Sequence, residues 1–202
     1  MANAPFKRKE FNLDTDINGV GIDCGFIAHF EVSATNAVAA DTDGIHAAIT
    51  DTGEKQEITT EITNPAIPRN ITATAGGTAA DIGAIEIVVE GTNSNGDAIT
   101  ETLPAFTVNT AGSVTGSKAF KTVTKITVPA HDDTGATTAI GFGSKLGLPF
   151  KLAHNTCEMA FLDNTKESIA PTVAVSSTAL ESNTITLNSS LAGKVVDAYF
   201  LI

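Results

Sequence analysis

Residues 85–103 read IEIVVEGTNSNGDAITETL, and this stretch decides the fold class. On each side of an Asn95-Gly96 step the residue pattern repeats with a period of two, as expected for the two faces of a β-strand. The alternating residues are Ile85, Ile87 and Val89 before the step, and Ile99, Glu101 and Leu103 after it. An Asn-Gly step between two alternating runs predicts a β-hairpin.

Strand signals continue on both sides of this hairpin. Arg69–Ala75 is predicted as a strand, because Pro65 and Pro68 favour extended backbone before it and Gly76-Gly77 follows it. The run KAFKTVTKITV at 118–128 is less regular, since Val123 falls on the face opposite to the other apolar residues. Either Val123 is a single exposed apolar residue, or a β-bulge changes the phase of the strand.

The rest of the chain also favours short strands. Candidates are Cys157–Phe161, Thr172–Ser176, Thr184–Asn188 and Val195–Ile202, and the last should lie within a sheet because its end is apolar. Only Ser177–Ser182 favours a helical turn. We therefore predict an all-β fold, a β-sandwich or a jelly-roll-like barrel. The predicted domains are an extended N-terminal arm (1–20) and one β-rich domain (21–202), the latter with N-terminal strands (21–64), core strands and the hairpin (65–152) and C-terminal strands (153–202).

Composition limits the function classes. Charged residues make up 17% of the 202 residues, which is low for an isolated monomer and favours burial against other subunits, although a threonine-rich surface is the alternative. The net charge of −11 argues against nucleic-acid binding. We expect no membrane association and synthesis in a cytoplasm, since no run resembles a signal peptide or a membrane span. Cys24 and Cys157 are expected as buried thiols, with a disulfide as the alternative.

The N-terminal arm carries the predicted partner-binding residues. Phe6 and Phe11 are isolated apolar residues in a polar segment, and Lys7, Arg8 and Lys9 form the one basic cluster of the sequence. Such a segment either is disordered or lies on a neighbouring subunit, anchored by the two rings. The basic cluster could then contact an acidic neighbour.

Candidate metal ligands are few. Asp14, Asp16 and Asn18 resemble the first half of a calcium-binding loop, but Gly25 occupies the position of the required bidentate glutamate. An Asx-rich turn is therefore the preferred interpretation. No zinc-ligand spacing occurs among the four histidines, His29, His46, His131 and His154. A zinc site would therefore have to be built from distant strands. His131-Asp132-Asp133 is expected to form a solvated turn.

No motif indicates catalysis. The sequence contains no GxSxG motif and no P-loop, and Gly141-Phe142-Gly143 lacks a following helix that could bind phosphate. The chain has one tyrosine and no tryptophan, so it has few of the aromatic residues that form sugar-binding platforms. We expect a protein that is not an enzyme and that needs no cofactor.

The ordered motifs of residues 65–152 resemble a family of small structural proteins of tailed bacteriophages. The matching segments are Pro68–Asn70, Glu90–Thr92, Asn95-Gly96, Ile99–Leu103, Lys118–Ile126 and Lys145–Leu152. The resemblance implies a virion component, namely a capsid decoration or cement protein on the outer surface of the head. The resemblance does not assign a catalytic residue to this chain.

An acidic, strand-rich chain with few charges suits a homo-oligomer, which we expect to be a trimer, bound to the major capsid protein. Two alternatives remain open at this point. One is a tail, collar or baseplate subunit, and the other is a module of the virion that binds the host or a carbohydrate.

Overall fold

The computed structural model describes residues 25–202, together with the backbone of residues 13–14 and 21–22. Strands make up nearly all of the regular structure of these residues, and two 3-10 turns, Ala79–Asp81 and Leu180–Ser182, are the helical exceptions. The strands are β1 (Leu13–Asp14), β2 (Gly21–Ile22), β3 (Ile27–Val32), β4 (Asp41–Thr50), β5 (Gln56–Ile58), β6 (Arg69–Gly77), β7 (Val88–Thr92), β8 (Ala98–Thr102), β9 (Gly112–Phe120), β10 (Thr122–Val128), β11 (Ala136–Gly147), β12 (Cys157–Leu162), β13 (Thr165–Lys166), β14 (Thr172–Ala174), β15 (Thr184–Thr186) and β16 (Val196–Leu201). The predicted all-β, sandwich-like fold is confirmed.

Three antiparallel sheets contain most of the strands. The hairpin sheet has the order β5-β10-β7-β8, and the central sheet has the order β14-β15-β11-β6-β9, with β4 also paired to β11. The terminal sheet has the order β13-β12-β16-β3, and β1 and β2 form a separate two-stranded ladder. The longest strand, β11, therefore pairs with β4 and β6 along most of its length and with β15 at its end.

The buried apolar residues form two clusters. The first lies between the hairpin sheet and the strands β4, β6, β9 and β11, and it includes Ile71, Ile126 and Ile140. The second includes Leu146, Ile185 and Phe200, from the far end of the central sheet and from the terminal sheet. Strand β11 contributes to both clusters. This shared strand favours a single domain over residues 21–202, which stays a prediction.

The predicted hairpin is present as β7 and β8. Its register pairs Thr92 with Ala98, so that residues 93–97 form the loop, and Gly96 has a φ of 87°. The side chain of Asn93 shapes the loop, because its Oδ1 accepts hydrogen bonds from the backbone N–H groups of Asn95 and Asp97 at 2.9 and 3.1 Å. The Asn-Gly signal thus located the hairpin correctly, and the residue two positions before it fixes the loop.

A β-bulge resolves the ambiguity at Val123. The pairing of β10 with β7 shifts between Val123 and Lys125, and Val123 is buried while Thr124 is exposed. Ile126 and Val128 then continue on the buried face. Of the two alternatives that the sequence left open, the bulge is correct.

The predicted C-terminal strands are also present, although β14 and β15 are shorter than expected. Strand β16 lies between β12 and β3, so the end of the chain is a central strand of the terminal sheet. Phe200 is fully buried there and packs edge-on against Phe150, with 5.3 Å between the ring centroids. Burying such a side chain contributes about 1.5–3 kcal/mol to the free energy of folding. Phe200 therefore anchors β16 in the second core cluster.

Candidate interaction surface

The two faces of the terminal sheet differ in what they contact. Along β16, Val196, Ala198 and Phe200 are buried in the second core cluster. The residues between them, Asp197 and Tyr199, point to the opposite face, where both side chains are partly exposed. We call this face the outer face; its residues are Ile27, His29 and Glu31 on β3, Met159 and Phe161 on β12, and Asp197, Tyr199 and Leu201 on β16.

One half of the outer face is apolar and exposed. Ile27 is 74% exposed and lies directly opposite Leu201, which is 45% exposed. Met159, at 40% exposure, lies opposite Tyr199 on the other side of β16. Among the described residues, five of the nine exposed large apolar side chains lie on this half or directly beside it: Phe26, Ile27, Met159, Leu201 and Ile202. Such a concentration is typical of a surface that binds a macromolecule.

The backbone beside this half is well ordered by hydrogen bonds. Phe26 and Ile202 each donate a backbone hydrogen bond to the other residue's carbonyl, at 2.8 Å in both cases. The entry of β3 and the exit of β16 are therefore fixed to each other. The predicted arm, residues 1–20, lies outside the described residues apart from the backbone of Leu13 and Asp14.

Tyr199 occupies the middle of the outer face. Its ring stacks on the imidazole of His29, with centroids 4.7 Å apart and planes 6° apart, and it meets Phe161 edge-on at 6.2 Å. His29 is directly opposite Tyr199 in the ladder. The two rings are therefore nearly parallel neighbours on the outer face.

The other half of the outer face is polar. His29 Nε2 lies 2.8 Å from Asp197 Oδ1, and Glu31 lies directly opposite Asp197 in the ladder. The His29 side chain is 42% exposed and that of Asp197 is 18% exposed. One potential metal-ligand atom from each of these three residues lies within 4.8 Å of the others.

The motifs that carry the phage resemblance are mainly internal. Arg69 and Asn70 are fully buried, and Asn70 Oδ1 accepts a hydrogen bond from the backbone N–H of Lys145 at 3.0 Å. Glu101 is 8% exposed, and its carboxylate accepts hydrogen bonds from the backbone N–H groups of Ser117 and Lys118. These residues connect strands in the interior, and the exposed surface is formed by other parts of the chain.

His131 is not the solvated turn residue that the sequence predicted. It is 7% exposed, and its ring stacks on Phe106 with 5.9 Å between centroids. Nδ1 accepts a hydrogen bond from the backbone N–H of Gly83 at 3.2 Å, and Nε2 lies 2.8 Å from Thr138 Oγ1. The prediction was wrong because two of the contacts, with Gly83 and Phe106, are with residues distant in sequence. His131 connects loops to the first core cluster.

Two surface grooves are too small or too polar to indicate a small-molecule site. An apolar groove of about 210 Å³ lies beside Phe30, Ile67 and Pro149, and a polar one of about 350 Å³ lies beside the hairpin loop and Lys151. The apolar groove is smaller than the range for ligand pockets, roughly 300–1,000 Å³, and the polar one is close to the lower end of that range. Neither groove is lined by histidine or cysteine.

Most of the sequence-predicted site residues lie outside the described residues. These are Phe6, Lys7, Arg8, Lys9 and Phe11 of the arm, and Asp16 and Asn18 of the calcium motif. For Asp14 only the backbone is described, and it pairs with Gly21 in the β1–β2 ladder. Cys24 also lies outside, whereas Cys157 is half-buried, and this burial raises the pKa of its thiol.

The residues of the outer face were missed by the sequence interpretation. The signal for two of them was present, because His29 and Glu31 are two positions apart on a strand and therefore share a face. Asp197 is 168 residues from His29, and only the pairing of β16 with β3 brings the two together.

The described residues contain no helix that is long and apolar enough to cross a membrane. In comparisons with known proteins, no family, no curated protein and no solved structure matches the chain.

Proposed function

We propose that the protein is a structural protein of a bacteriophage virion, a capsid decoration or cement protein that binds the major capsid protein on the outside of the head. The observation that supports this function best is the apolar half of the outer face. The ordered motifs of residues 65–152, which resemble the phage family, point to the same class.

The exposed side chains explain why a partner is expected. Ile27, Met159 and Leu201 present apolar surface to water in the isolated chain, which is unfavourable by about 25 cal/mol per Å². A neighbouring subunit that covered them would recover this free energy. The chain also has few charged residues to keep its surface solvated, 17% of the total. Both features suit a protein that functions within an assembly.

A decoration protein acts through contact area. Each copy that binds the assembled shell more tightly than free capsid subunits stabilises the shell by mass action. Many modest interfaces on one particle add to a large effect, as in other multivalent systems. The proposed trimer would multiply the contacts of each bound unit. This role requires no catalytic residue and no cofactor.

The predicted arm supplies a second contact in this proposal. Its residues, 1–20, are separated from Phe26 by five residues in the sequence. Phe6 and Phe11 would bind apolar pockets of the capsid protein or of an adjacent copy, and Lys7–Lys9 would contact acidic side chains there. Deleting residues 1–20 should therefore weaken particle binding while the β-domain stays folded.

The central experiment compares particles that carry the protein with particles stripped of it. We expect the stripped particles to release their genome at lower temperature and to break under milder osmotic shock. Equal resistance of the two preparations would refute the cementing role. Cryo-electron microscopy of the intact virion locates the protein, and density on the tail, collar or baseplate in place of the head would favour the alternative assignment.

A surface variant links this role to the outer face. The double substitution Ile27→Asp and Leu201→Asp places two carboxylates on opposed residues of the apolar half, and it should abolish rebinding to stripped particles. Val108→Asp is the matched control, because Val108 is also exposed, at 47%, but lies on a different part of the surface. Circular dichroism must show that both variants are folded. Normal rebinding by the double variant would exclude this face as the docking surface.

A further inference from the structure

The polar half of the outer face has the ligand types of a transition-metal site. His29 and Glu31 extend from one face of β3, and Asp197 extends from the neighbouring strand β16. Their ligand atoms, one imidazole nitrogen and two carboxylate oxygens, lie within 4.8 Å of one another. The sequence interpretation had left room for a zinc site only if distant strands built it, and these two strands are far apart in sequence.

The distances are close to those of a coordination sphere. Ligand atoms about 2.0–2.1 Å from a tetrahedral zinc ion lie roughly 3.4 Å apart. The observed 2.8 Å between His29 Nε2 and Asp197 Oδ1 is slightly shorter, and the limit of 4.8 Å for the whole group is longer. Small side-chain rotations would therefore suffice. The backbone need not move, because the three side chains lie on adjacent strands and their ligand atoms are already within 4.8 Å of one another.

The charges on this half favour a cation. Glu31 and Asp197 are directly opposite in the ladder, where two like charges destabilise a sheet. Within the part of the chain that the structure describes, neither carboxylate forms an ion pair with a lysine or an arginine. His29 contacts only one of the two at hydrogen-bond distance. A divalent ion between the three side chains would remove the repulsion.

We infer that His29, Glu31 and Asp197 bind one zinc ion, with water in the fourth coordination position. Three protein ligands and one open position are common in zinc sites that are not purely structural. The imidazole favours a transition metal, since calcium and magnesium prefer oxygen ligands alone. The site is separate from the Asp14–Asn18 motif, whose ligands are all oxygen atoms.

Tyr199 provides a direct measurement of binding. It is the only tyrosine of the chain, tryptophan is absent, and its ring stacks on His29. The intrinsic fluorescence of the protein therefore comes mainly from a ring 4.7 Å from one proposed ligand. Adding zinc chloride to the full-length, chelator-treated protein should change this fluorescence in a saturable way at one ion per chain. Calcium chloride at the same concentration should produce no change.

Substitutions assign the ligands. His29→Ala, Glu31→Gln and Asp197→Asn should each weaken zinc binding at least about ten-fold, measured by competition with a chromophoric chelator. Zinc should also raise the melting temperature of the wild-type protein and not of these variants. The matched controls are His46→Ala and Glu54→Gln, which remove the same groups elsewhere on the chain. Both controls should bind zinc as the wild type does.

Conservative variants and an N-terminal control distinguish loss of a ligand from loss of folding. Glu31→Gln and Asp197→Asn preserve side-chain shape, so they test the site even if His29→Ala alters folding. The double variant Asp14→Asn and Asp16→Asn should retain full zinc affinity. Absence of saturable binding by the wild type, or unchanged affinity in all three ligand variants, would overturn the assignment. Loss of binding in the Asp14 and Asp16 variant alone would indicate that zinc binds to the N-terminal segment.

Discussion

The guanidinium group of Arg69 donates hydrogen bonds to the backbone carbonyl of Gly143, which lies 74 residues further along the chain. Nε lies 2.8 Å from that oxygen, and Nη1 donates to the carbonyl of Val38 at 3.1 Å. The ring of Phe142 lies 5.0 Å from the guanidinium carbon. Burial lowers the pKa of Arg69 to about 10, so the side chain remains charged at neutral pH.

Replacing this buried cation should destabilise the fold strongly. Arg69→Met leaves the buried carbonyl of Gly143 and the part-buried carbonyl of Val38 without their charged donor, and we expect the free energy of unfolding to fall by about 3 kcal/mol. Arg69→Lys should cost about 2 kcal/mol, because one ammonium group cannot reproduce the planar fork of donors. Chemical denaturation followed by circular dichroism measures both values. Lys194→Met is the control, since Lys194 is exposed, and a similar loss in that variant would contradict the interpretation.

The carboxylate of Glu101 should be the second most sensitive polar group of the phage-like motifs. Its Oε1 accepts hydrogen bonds from the Ser117 backbone N–H at 2.7 Å, from Ser117 Oγ at 2.9 Å and from the Lys118 N–H at 3.2 Å. Glu101→Ala removes the acceptor, and the expected loss of stability is about 2–3 kcal/mol. Glu101→Gln keeps one acceptor oxygen and should cost about 1 kcal/mol.

The same denaturation experiment supplies the control for Glu101. Glu86 lies just before the same hairpin but is exposed, so Glu86→Ala should change the stability by less than about 0.5 kcal/mol. Equal effects at the two positions would mean that the contacts of Glu101 with Ser117 and Lys118 contribute little to stability.

The sequence correctly predicted structural features that depend on neighbouring residues, such as the positions of strands. Period-two alternation located β7 and β8 and placed Glu101 on the buried face, because a strand's geometry depends on its own residues. The partners of Glu101 could not be predicted, since Ser117 and Lys118 belong to β9, and only the tertiary fold brings this strand to the carboxylate. Arg69 was correctly placed at the start of a strand, but its burial depends on carbonyls 31 and 74 residues away.

The residues of the outer face also could not all be predicted from local sequence patterns. The alternation of β3 contains both His29 and Glu31, whereas Asp197 joins them only through a ladder between strands at the two ends of the described chain. At His131 the local pattern was misleading, because its Asp-Asp neighbours indicate a solvated turn while the ring packs on Phe106. Contacts between distant segments therefore decide both the buried polar groups and the surface chemistry.

Gly141 should not tolerate a side chain. A Cβ atom at this position of β11 would lie 1.9 Å from the carbonyl oxygen of Asp41 and 2.7 Å from Cα of Thr42. These are backbone atoms of β4, so the strand itself would have to move, and Gly141→Ala should cost about 3 kcal/mol. Gly112→Ala is the matched control, because a Cβ there meets nothing within 4 Å. Thermal unfolding of the two variants tests the contrast, and similar melting temperatures would contradict it.

His131 should make the fold less stable in mild acid. Burial lowers the pKa of its imidazole, and this effect exceeds the opposite influence of the nearby carboxylates of Asp51 and Asp132. Because Nδ1 accepts a hydrogen bond from Gly83, the folded state holds the neutral ring with its proton on Nε2, and protonation of Nδ1 would break that bond.

The sign of the effect follows from proton linkage. Below the ordinary histidine pKa of about 6.5, the unfolded chain binds a proton at His131 that the folded chain resists. Stability from this group is therefore complete above about pH 6.5 and declines as the pH falls toward the lowered pKa of the folded state. Urea unfolding at a series of pH values should show a shallower decline for His131→Gln than for the wild type. Ile140→Val loses core packing but keeps His131, so it should retain the wild-type pH dependence. Parallel curves for the wild type and His131→Gln would show that another group causes the acid sensitivity.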